Sequence, residues 1–247
     1  MAKPKKDADR RAVVERLRRD QQRRERRQGL LVVGAAVVVG ALIIGGAVWQ
    51  FKTSDSGGGS NSALAAIGVP SSDAGCQDVV TKPAKGNNVH LPEGQTIPYE
   101  DAPPAFGPHW GNYLVGAQLR KLYTVDDRPP VEQLVHSLEH GHTILWYDQT
   151  VVDDSQEMSD LRAIAGKFPS STDLTQKFIA APWTSKDGQA FPDGTHVALT
   201  HWSMGGTNGN PDGQQGVWEY CSKVSGAVVE KFMQDYPYSD SPEPNAP

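Results

Sequence analysis

The chain has 247 residues with 24 Lys/Arg and 29 Asp/Glu, a formal net charge of -5, and that small average hides two opposite segments. Residues 1–28 hold twelve Lys/Arg against five Asp/Glu, net +7, and residues 29–247 hold twelve against twenty-four, net -12. The length allows one ordinary domain or two small ones, and the acidic bulk of the chain excludes a nucleic-acid partner for everything after the basic start.

Directly after the basic run, residues 29–51 read GLLVVGAAVVVGALIIGGAVWQF without a charge. About twenty such residues match a hydrocarbon core about 30 Å thick, so the pattern predicts one N-terminal transmembrane helix. A cleavable signal peptide fits less well, because the charged region is too long, the apolar region exceeds the usual length, and no small-x-small site follows closely. The Lys/Arg bias places residues 1–28 in the cytoplasm and the rest outside the plasma membrane. The basic segment then serves topology and attraction to anionic lipid in the bilayer. Ala36, Gly40, Ala41 and Gly45 have a spacing that permits close pairing of such helices.

Residues 52–62, rich in Gly and Ser, read as a flexible linker. An extracytoplasmic domain is expected over residues 63–236, followed by a disordered tail over 237–247, where YSDSPEPNAP offers little to bury. Cys76 and Cys221 lie near opposite ends of that domain. In an oxidising compartment they are expected to form a disulfide, closing a loop long enough to stabilise by roughly 4–5 kcal/mol.

Within the domain, residues 88–108 contain five prolines and little periodicity, so they are expected to form an extended loop. It leads into His109 and Trp110. A helix or strand is expected somewhere in 113–123. Asp126-Asp127-Arg128-Pro129-Pro130 then marks a helix start and Gly141 its stop. Val131, Leu134, Val135 and Leu138 form the apolar stripe of that helix, which turns His136 and His140 to nearly the opposite face with Glu139 on the flank. Those imidazoles face either solvent or a second site.

Further elements are expected as a strand over 142–147, a helix over 155–168, strands over 176–182 and 196–202, and a helix over 222–236. The irregular mixture predicts an α+β domain with a small sheet.

Residues 131–148 hold three of the seven histidines, and His136, Glu139 and His140 form H-x-x-E-H. Imidazoles at i and i+4 share a helical face and can converge on one ion, so a zinc or copper site is expected at His136 and His140, with Glu139 or His142 added. Met204 adds a soft thioether near His201, which would favour copper, while the plainer reading of this stretch is a strand end entering the GGTNGNPDG turn. Histidines at such spacing also serve as structural hydrogen-bonding groups. A metallohydrolase, with Glu139 activating a bound water, needs a larger fold and a further downstream carboxylate ligand, and no other catalytic signature is present. No catalytic residue is therefore assigned. The alternative is a non-catalytic interaction module that holds a membrane or cell-wall protein partner.

The motifs PPAFGPHW, VHSLEHG and LTHW, in this order across residues 88–202, resemble the actinobacterial membrane-anchored proteins called domain of unknown function 3105. The resemblance carries His109, His136, Glu139 and His140 over as site positions and implies export, with no activity attached. Ala105-Phe106 and His201 depart from the family pattern, which has a small polar pair in the loop and a small residue in the later strand.

Overall fold

Residues 63–86, 89–205 and 213–247 are described by the computed structural model. They all belong to one unit, Gly59–Pro247. The expected membrane span at 29–51 lies outside the described residues, as do the basic segment and most of the linker. Among the described residues no helix is long and apolar enough to cross a membrane.

In chain order the elements are β1 (Val80–Pro83), β2 (His90–Leu91), β3 (His109–Trp110), α1 (Val131–Glu139), β4 (Thr143–Tyr147), α2 (Gln149–Asp153), α3 (Ser155–Ala165), β5 (Phe178–Pro182), β6 (Val197–Ser203), β7 (Gln215–Cys221) and α4 (Gly226–Asp235). Five strands make one mixed sheet in the order β1-β7-β6-β4-β5. Only the β4–β5 pair in it is parallel, and the rest of the ladder is antiparallel. The domain is thus mixed α+β with a small sheet.

Every residue of β4, β5 and β6 is buried, because both faces of the sheet are covered. Side chains alternate across a strand, and β4 shows it directly. Leu145 and Tyr147 join the core shared with Leu161, Ile164, Val229 and Phe232 of α3 and α4. Ile144 and Trp146 join the other core, with Leu134, Val135 and Leu138 of α1. Coverage on both sides explains why TILWY reads as an unbroken apolar run rather than an alternation.

β7 and β1 were not expected from sequence. In QGVWEYC the strand carries Gly216 beside the large aromatics, a residue that ordinarily weakens strands. Here the glycine is required: a Cβ at that position would lie 2.4 Å from Phe106 and 2.5 Å from Trp218. The stretch 113–123 forms neither the helix nor the strand expected there, only a short 3-10 turn at Gly116–Gln118 and an isolated bridge from Leu122 to Ala180. The disulfide between Cys76 and Cys221 is formed, and it ties the segment before β1 to the end of β7.

The C-terminal residues differ most from the reading of composition as a disordered tail. Residues 237–247 turn back over the end of α1, with Asp240 and Ser241 buried. Few of their side chains are apolar, so hydrogen bonds hold them instead. The Lys177 ammonium donates to the carbonyls of His140, Pro244 and Ala246 at 2.6, 2.9 and 2.6 Å. A cation at the carbonyl end of a helix is also favoured by the helix dipole. Burial, and secondarily Lys121, lowers the Lys177 pKa to about 8.

Candidate metal centre

Two short strands build half of the site. β2 and β3 pair in parallel, His90 opposite His109 and Leu91 opposite Trp110, so the beginning and end of the proline-rich loop are brought side by side. The loop between them is braced by Trp110 Nε1 donating to the Gln95 carbonyl at 2.7 Å, Tyr99 Oη donating to the Pro108 carbonyl at 2.7 Å, and Ile97 N donating to Glu132 of α1 at 3.2 Å. A loop without regular structure thereby presents its histidines from a fixed backbone.

α1 builds the other half. Pro130 precedes its first residue, Glu132 sits in its first turn, and its apolar stripe lies on the sheet. That orientation forces His136 and Glu139 toward β3, and both are buried. His140 is buried as well, so the solvent alternative holds for neither imidazole.

Glu139 stands at the centre. Its Oε2 lies 2.9 Å from His109 Nε2, 3.5 Å from His90 Nε2 and 3.9 Å from His136 Nε2. The side chains of Glu139 and His109 are 0% exposed, whereas that of His90 is 43% exposed. One ligand atom from each of His90, His109, His136 and Glu139 can be chosen so that all lie within 4.8 Å of one another.

The proton inventory of the site is informative. His109 Nδ1 is 2.9 Å from the Gly107 carbonyl and His136 Nδ1 is 2.6 Å from the Trp110 carbonyl. A carbonyl only accepts, so each Nδ1 carries the hydrogen, and in the neutral ring each Nε2 keeps a lone pair. Burial first, then His109 and His140, lowers the His136 pKa to about 4, which keeps that ring neutral at ordinary pH. Burial works to raise the Glu139 pKa, but the His109 contact and the nearby imidazoles outweigh it and hold Glu139 below its ordinary value.

Where the rings are neutral, lone pairs and carboxylate oxygens face one another, and only a protonated imidazole holds the Glu139 pKa down. His109 Nε2 and Glu139 Oε2 are close but not aligned for a hydrogen bond, and among the described residues neither oxygen of Glu139 accepts one. Burying a carboxylate in this way costs several kcal/mol without a counter-charge. A cation among the four groups would supply that charge and meet the lone pairs together, whereas a proton on one ring would supply the charge alone.

The residues read from sequence divide as follows. His109, His136 and Glu139 come together. His140 adjoins Glu139 but turns to the C-terminal segment, with Nδ1 2.8 Å from the Pro247 carbonyl and Nε2 3.6 Å from Glu243 Oε2. His142 donates from Nδ1 to the Ser137 carbonyl at 3.1 Å. His201 donates from Nε2 to the Asp240 carbonyl at 2.9 Å, and Met204 donates its backbone N–H to the Asp240 carboxylate at 3.1 Å. These last two residues therefore serve to hold the C-terminal segment. His90 was missed. It lies nineteen positions before His109, joined to it by pairing of a two-residue strand that no local periodicity marks.

The sequence profile of the family described as "Protein of unknown function (DUF3105)" matches residues 90–247. That is more than half of the chain, so the chain belongs to this family. The match begins at His90 and runs through the C-terminal segment that folds over α1. No curated protein and no solved structure matches the chain.

Proposed function

We propose that this member of the family is a metal-binding domain, held outside the plasma membrane by a single N-terminal span, that binds one zinc ion through His90, His109, His136 and Glu139. The buried Glu139 carboxylate carries this reading, because among the described residues it accepts no hydrogen bond and has three imidazole nitrogens at 2.9–3.9 Å. A tetrahedral shell with metal bonds of about 2.0–2.1 Å has edges of roughly 3.3–3.4 Å. The three Glu139–imidazole separations bracket that edge, and all four ligand atoms lie within 4.8 Å of one another.

The donors are nitrogen and oxygen, a borderline set that suits zinc and, next, copper(II), and gives no reason to select copper(I). Each buried ring is oriented through its other nitrogen by a backbone carbonyl, as metal-bound histidines ordinarily are. Four protein donors fill a tetrahedral shell, whereas hydrolytic zinc keeps a position for water. The arrangement therefore supports metal holding over hydrolysis at this position. The uncharged stretch at 29–51, its basic flank and the Cys76–Cys221 disulfide support the placement outside the bilayer, where a membrane or cell-wall protein is the expected partner.

Elemental analysis of the purified full-length protein, followed by calorimetric titration of the metal-free form with Zn(II) and Cu(II), tests the reading. At least one equivalent of Zn(II) should bind at neutral pH. No stoichiometric binding of either ion would sink it and would leave the non-catalytic interaction module in its place.

A further inference from the structure

We infer a second, weaker divalent-cation position beside the first, formed by His140 Nε2, the Glu243 carboxylate and Glu139, which is shared between two ions. It rests on the metal-binding reading above and extends it to a two-ion centre.

Glu139, His140 and Glu243 each offer a ligand atom, and these atoms lie within 4.8 Å of one another. The His140 ring is presented in the same manner as His109 and His136. Its Nδ1 is 2.8 Å from the Pro247 carbonyl, which places the ring hydrogen there and leaves the Nε2 lone pair on the side of Glu243. The Nε2 to Glu243 Oε2 distance of 3.6 Å is too long for a hydrogen bond. The two groups thus flank a gap rather than close an ion pair.

Glu139 supplies the independent observation. It is fully buried and neither of its oxygens accepts a hydrogen bond. One ion at the His90–His109–His136 position would engage Oε2, the oxygen near all three rings, and leave Oε1 without a partner among the described residues. Carboxylates commonly bridge paired ions in two-metal sites.

Glu243 is brought there by the backbone. Its N–H donates to the Glu139 carbonyl at 2.9 Å, and Ala246 N–H donates to the Glu243 carbonyl at 3.1 Å. Lys177 fixes the same segment from below through Pro244 and Ala246. The second position has one neutral nitrogen donor and a carboxylate shared with another cation, so it binds less tightly than the first. With the Glu243 side chain 50% exposed, it also has room for a water ligand.

The experiment is titration of metal-free, tag-free full-length protein with Zn(II), followed by calorimetry, and with Co(II), followed by visible absorption. Wild type should take up two equivalents in two steps, the second weaker by about tenfold or more. Glu243→Gln should remove the second step and leave the first within roughly threefold, since losing a group that only orients a ligand typically costs about 10–100-fold and losing a direct ligand costs more. Glu243 is half-exposed, so a thermal melt should confirm that this variant folds. One equivalent in both proteins overturns the second position while preserving the first. Loss of both steps in Glu243→Gln also overturns it, because Glu243 would then serve the first site alone. Failure of wild type to bind any equivalent overturns the primary reading and this inference with it.

Discussion

Gly141 and the Tyr238 carbonyl meet so closely that no side chain fits between them. A Cβ on Gly141 would lie 2.6 Å from that oxygen and 2.7 Å from Ser241 Oγ, and the glycine itself has φ +91°. The helix stop therefore also seats the C-terminal segment. Gly141→Ala should lower stability by about 1–3 kcal/mol from the backbone alone and loosen residues 237–247. Chemical denaturation and carboxypeptidase digestion would read the two effects, and unchanged resistance to digestion would contradict the second.

Removing a donor at the centre should act on metal affinity. His109→Ala and Glu139→Gln should each weaken Zn(II) binding by more than about 100-fold, beyond the 10–100-fold usual for groups that only orient a ligand. His90→Ala should weaken it less in measured affinity if water replaces that exposed ring. Calorimetric titration distinguishes these, and equal wild-type affinity in all three would remove the site.

Zinc should stabilise the fold in proportion to occupancy. At a free concentration about 100 times the dissociation constant the gain is about 2.7 kcal/mol. For a domain of this size that corresponds to a Tm rise of roughly 5–10 °C. Excess chelator should reverse it in a thermal melt.

The metal-free protein should lose stability on acidification. Burial lowers the pKa of His136 to about 4 and lowers those of His140, His142 and His201 as well. Near pH 5 to 6 the unfolded chain binds protons at these rings that the folded one refuses, so stability rises with pH in that range. Below it Glu139, held under its ordinary value, adds a contribution that is lost as pH falls through its folded pKa. A Tm that is nearly flat between about pH 6.5 and 7.5 and falls continuously toward pH 4 is expected, and a Tm rising on acidification from about pH 6 to 4 would refute the assignment.

Replacing both cysteines should be costly. The bridge spans a sequence separation of 145, for which the loop-entropy model gives about 5 kcal/mol. Cys76→Ser with Cys221→Ser should lower the denaturant midpoint accordingly, and part of the loss reflects the buried position of Cys221.

Much of this domain is legible from local pattern. The 3.6-residue period of Val131, Leu134, Val135 and Leu138 locates α1, and the apolar run after Gly141 locates β4. The same phase that buries the stripe puts His136 on the far side and Glu139 on the flank, which is why half of the site can be read directly. His90 cannot, because its place depends on the parallel pairing of two strands two residues long. Nor does composition reveal the role of residues 237–247, since their burial depends on the ammonium of Lys177, more than sixty residues away, and on the carbonyls they offer it.

His90 differs from the other three central groups in one respect: its side chain remains open to solvent, on a short strand next to the start of the proline-rich loop. On the proposed reading, the three buried donors would set which ion is preferred, and exchange would run through the fourth. An incoming thiol, imidazole or chelator would displace His90 first, while the buried donors still held the ion.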